Sequence, residues 1–167
     1  MAFCRAEGAL AGWSNMGGSA KDLYEEGVKL SFEQWGAGSA TAYLADNTST
    51  EKNYVDPISE YGGDVSAVSN ITIKWDDSAT DEQKMERLIT QKWIAMFPNG
   101  QEGWSEIRRT GYPKVFPLAQ STDYSIQVAN RIPFDIDEAT NNKANYIKAV
   151  QLLKGNDDYA TKMWWQR

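Results

Sequence analysis

Trp104, Arg108, Arg109 and Tyr112 form the densest group of side chains that could hold a ligand in this chain. On a helix Trp104 and Arg108 share a face, whereas adjacent arginines point in different directions, so at most one guanidinium faces any single ligand. A ring beside a guanidinium can act as a stacking platform with a charged donor, which suits a sugar because an aromatic face covers the apolar C–H side of a pyranose. The same pair can act as a clamp, with Arg stacked on Trp and bound to Glu102 or Glu106 to lock a helix to the body. The residue types alone leave both readings open.

Other constellations are poorer. Glycoside hydrolysis needs two carboxyl groups held about 5 to 10 Å apart across a cleft. Asp76-Asp77, Asp81-Glu82 and Glu102 with Glu106 all fall in or beside helix starts, where negative charge offsets the macrodipole. The chain has no histidine, which removes the usual base near neutral pH and the Ser-His and Cys-His pairs. The segments Asp76 to Glu82 and Asp135-Ile-Asp137-Glu138 offer oxygen ligands of the type calcium takes, but lack the EF-hand glycine and distal glutamate. No metal or cofactor is expected, and a structural calcium has no motif behind it. Gly62-Gly63 lacks the Lys-Ser/Thr of a phosphate loop.

The elements that must position these residues belong to a globular protein of 167 residues, 41% hydrophobic and 24% charged, for which one domain is the default. A net charge of −6 repels phosphate backbones, so nucleic-acid binding has no electrostatic footprint. Seven Trp and eight Tyr exceed what such a core needs, and serve either ligand stacking or the filling of helix crossings. The one cysteine, Cys4, excludes an internal disulfide and is expected to be small and buried. No run approaches the roughly 18 apolar residues of a membrane span, and the first residues lack signal-peptide character.

Phe3, Ala6, Leu10 and Trp13 recur at helical spacing and predict a helix over 2–13. Ser19 and Asp22 predict the cap of a second helix, with Ala20, Leu23, Tyr24, Gly27, Val28, Ser31 and Trp35 on one face. With Ala6, Gly8 and Gly27 at the crossing, the two make one tetratricopeptide-like hairpin, and such a unit cannot bury its apolar face alone. A chain whose first residues already lie in a helix is expected to be a piece of something longer, and to be marginally stable by itself. Residues 37–46 suggest a short helix. The Asn-, Thr- and Ser-rich stretch 47–70 reads as a long excursion holding Tyr54 and Tyr61, and the alternation in Ile71-Thr-Ile-Lys-Trp75 reads as a strand. Thr80 and Gln83 make a capping box for a helix with Met85, Leu88, Ile89, Trp93, Met96 and Phe97 on one stripe. Pro98-Asn-Gly100 ends it, Glu102 to Arg109 supports another helix, extended text follows through Ile132, and Asn145 to Leu153 closes as a helix with Gly155 in the cap position.

Several of these motifs occur in an order that resembles the SusD/RagB family. Phe3 to Trp35 looks like one of its C-terminal tetratricopeptide hairpins. The run Gln91 to Pro117 is similar to its helix-Pro-helix passage, with Trp104 and Arg108-Arg109-Thr-Gly-Tyr-Pro113 the most specific part. Arg131-Ile-Pro133 and Trp164-Trp165 follow in order. The resemblance implies a mostly α fold, a SusD-like C-terminal region with a tetratricopeptide-like hairpin (1–36), a loop-rich excursion (37–80) and a helix-Pro-helix and terminal segment (81–167). It also implies no catalysis, glycan capture, and a parent protein lipid-anchored on the outer-membrane surface beside a SusC-like, TonB-dependent transporter. Family members run to roughly three times this length, so the lipid cysteine and much of the glycan-binding surface would lie in the N-terminal part absent here. Cys4 is not that lipid cysteine.

Three functions are then weighed: oligosaccharide capture, a scaffold region without sugar contacts of its own, and a glycan-cleaving enzyme, which the lack of a distinctive acid pair disfavours. Trp104, Arg108, Arg109 and Tyr112 are assigned to the architecture. Tyr54, Tyr61 and Trp75 are the aromatics expected to meet a ligand.

Overall fold

The computed structural model describes residues 1–58, 63–116 and 128–166. Tyr61 lies outside them. Helices α1 (Ala2–Leu10) and α2 (Ala20–Gln34) form an antiparallel hairpin. The turn is fixed by Ser19, whose hydroxyl accepts from the Asp22 amide at 3.1 Å and donates to the Asp22 carboxylate at 2.6 Å. Gly27 lets the two helices approach. A Cβ at that position would sit 2.8 Å from the ring of Phe3, closer than carbon atoms pack. Gly8 serves another purpose, making room for Met16 and Trp13 of the connecting turn.

Helix α3 (Thr41–Ala45) is one short turn, and α4 (Asp81–Ala95) lies against both members of the hairpin. The expected capping box is present: Thr80 accepts from the Gln83 amide at 3.2 Å while Gln83 accepts from the Thr80 amide at 3.1 Å. One core joins Phe3, Ala6, Leu23, Tyr24, Val28, Trp75, Leu88, Ile89 and Tyr112. Tyr24 is fully buried at its centre, where its ring meets Phe3 and Trp75 and its hydroxyl donates to the Ile73 carbonyl at 2.5 Å. Burial in that setting pushes the Tyr24 phenol well above its ordinary pKa.

Helix α5 (Gly100–Thr110) is capped by Asn99, and Gly111 ends it in the left-handed conformation at φ 80°. Helices α6 (Ile136–Asn141) and α7 (Lys143–Leu153) pack on each other and bury none of their own residues.

Four expectations need correction. Residues 71–75 form no strand, and the isolated Tyr54 to Val65 bridge is the β pairing among the described residues. Their backbone is satisfied from the sides instead: Arg87 donates to the Thr72 carbonyl, Tyr24 to Ile73, and the Lys74 amide donates to the Asp46 carbonyl. Along α4 the apolar stripe is incomplete, since Phe97 is 69% exposed while Glu86, Arg87, Gln91 and Lys92 are buried as partners of neighbouring segments. Cys4 is exposed, because Phe3 and Ala6 take the side of α1 that faces the core. Asp135 opens α6 by accepting from the Asp137 amide at 2.8 Å, in a segment for which no helix was expected.

Candidate functional site

Helix α5 carries the Trp104 and Arg108 face toward the terminal segment. The Arg108 guanidinium lies 3.5 Å from the Trp104 ring centroid and 4.9 Å from that of Trp165. Trp104 Nε1 donates to the Ala129 carbonyl at 2.6 Å and Arg108 Nη1 to Asn130 at 3.2 Å. Burial lowers the pKa of Arg108. A guanidinium enclosed by two indoles, with Nη1 on a backbone carbonyl and Nε buried without a partner, braces chain segments against each other.

The neighbouring arginine turns the other way. Arg109 meets the Glu7 carboxylate of α1 through two bonds of 2.6 and 2.8 Å and Glu106 at 2.8 Å, while Lys92 of α4 reaches Glu106 at 2.9 Å. This chain of charges ties α1, α4 and α5 together. The Glu7 bonds, then Glu106, raise the Arg109 pKa. For Glu106, burial opposes ionisation, but Arg109 and Lys92 outweigh it and hold the carboxyl below its usual range. Tyr112 is buried and donates to Glu82. Further along, Arg131 and Asp157 form a second buried pair at 2.5 Å, and Asp157 also accepts from the Phe134 amide.

An open cleft of about 460 Å³ lies between α4 and the segments 49–51, 69–73 and 113–116. Its walls include Tyr43, Glu51, Arg87, Gln91, Trp93 and Phe116. Gly103 of α5 accommodates the indole of Trp93, with a Cβ there falling 3.0 Å from Nε1, and this contact orients the ring. Tyr43 donates to Gln91 Oε1 at 3.1 Å, and Glu51 Oε2 accepts from the amides of Val68 and Ser69 at 2.7 and 2.9 Å. Aromatic faces with a few converging polar groups are what a small-molecule site requires.

Of the aromatics expected to meet a ligand, Tyr54 is half exposed at the edge of this region, its ring 6.3 Å from Phe116. Trp75 is a core residue whose Nε1 donates to Asp77 at 3.0 Å. Sequence reasoning did not select Arg87, Gln91 or Phe116, and assigned Trp93 to the buried stripe. The available signal was the pair of polar doublets, Glu86-Arg87 and Gln91-Lys92, interrupting that stripe. Among the described residues no group of three or more Cys, Asp or Glu side chains is placed to hold a metal, and no helix is long and apolar enough to cross a membrane.

Fold and site define a mostly α protein built on a helical hairpin and braced by buried ion pairs and an arginine between two indoles. The chain belongs to the SusD-like family, described as SusD and RagB outer membrane lipoproteins, whose model matches residues 1–166. It is similar to a chitin-binding SusD homologue from Flavobacterium johnsoniae, with 48% identity and a TM-score of 0.85 over 98% of this chain and 34% of that one. Two proteins from Bacteroides thetaiotaomicron are alike as well. A SusD-like protein shares 48% identity at TM-score 0.86, covering 99% of this chain and 35% of its own, and a SusD homologue shares 43% at 0.88, covering 99% and 37%. The chain thus spans about a third of the length of these solved relatives. Comparison with curated proteins gives no match.

Proposed function

We propose that this chain is the C-terminal part of a non-catalytic receptor that captures an oligosaccharide for a SusC-like, TonB-dependent transporter at the outer-membrane surface. The observation that carries the reading is the 48% identity with a chitin-binding homologue over nearly the whole chain. The aromatic-walled cleft beside α4 supports it, since stacking rings and scattered hydrogen-bonding groups hold sugars without reacting with them. In this reading Tyr54 adds an aromatic face at the cleft's edge, while the residues around Arg108 and Arg109 hold the frame.

A scaffold role is favoured by a separate observation. Trp35 and Phe97 stack on each other at 5.9 Å while 50% and 69% exposed, which offers an apolar seat to the N-terminal part of a longer parent. Calorimetric titration of the chain with neutral, acidic and N-acetylated oligosaccharides tests the two. Heat and saturation with at least one glycan, with no new reducing ends, is the expected result. Silence across the whole panel overturns capture by this chain and leaves the scaffold, and steady accumulation of reducing ends overturns the non-catalytic assignment.

A further inference from the structure

We draw no further inference here: the strongest candidate, the exposed apolar patch where Trp35 at the end of α2 stacks on Phe97 just beyond α4, with the groove lined by Leu30, Gln34 and Met96 on the same helix ends, belongs to the scaffold reading already given, and nothing in the structure shows what covers it.

Discussion

Replacing Glu106 with Ala is expected to lower the unfolding free energy by roughly 3–5 kcal/mol, the cost of leaving a buried charge without its partner. Glu106 and Lys92 have side chains only 6% and 10% accessible and meet at 2.9 Å, so removing the carboxylate strands the ammonium between α4 and α5. Arg109 is 41% accessible and keeps Glu7, so its lost bond contributes less. The double variant Lys92→Met with Glu106→Leu removes both charges and restores packing, and is expected to regain most of the stability. Chemical denaturation of the single and double variants closes the cycle, and a double variant as weak as the sum of the singles would show that the pair is not coupled. Acid provides an independent arm. A carboxyl held below its ordinary 4.5 in the folded state contributes stability that is complete above that pH and is lost as pH falls through the lowered value. The melting midpoint of the native chain should therefore decline below about pH 4.5, and the Glu106→Gln variant should show a shallower decline.

Gly27→Leu is expected to destabilise the hairpin by about 1–3 kcal/mol, although leucine is the better helix former. The opposing effects are unequal: helix propensity returns about 0.8 kcal/mol, whereas the new side chain must enter space already filled by Phe3. Phe3→Ala alone is expected to cost about 3–5 kcal/mol through the cavity it leaves. Together the two changes should cost distinctly less than their sum, because the leucine occupies part of the volume the ring vacates. Thermal melts of the two single variants and the double variant measure this. Strict additivity would mean that the helices do not cross at these two residues.

Much of the helical frame was legible because local rules dominate there. Ser19 and Thr80 announce α2 and α4 through their capping partners, and the small residue at Gly27 marks the crossing. The strand expected at 71–75 failed because alternation records which side chains are buried, not which groups satisfy the backbone; here Arg87 and Tyr24 take the place of a neighbouring strand. Helix α6 was overlooked since Asp135 and Asp137 were weighed as ligands when the first of them is a cap. The cleft was the least visible feature. Its walls come from five separate stretches of chain, and Trp93 reads as a core residue until Gly103, ten residues on, is seen to hold its edge. Pairings such as Glu7 with Arg109 span 102 positions and leave no periodic trace.

The last two helices bury none of their own residues, and the strip on which they depend is fastened by the Arg131–Asp157 pair and by the indole contacts to Arg108. Such an appendage is expected to open locally at a lower free-energy cost than the global transition. Its backbone amides will trade protons for deuterons long before those of α2 and α4. A calorimetric trace of the chain will then combine a shallow early shoulder with the main cooperative peak.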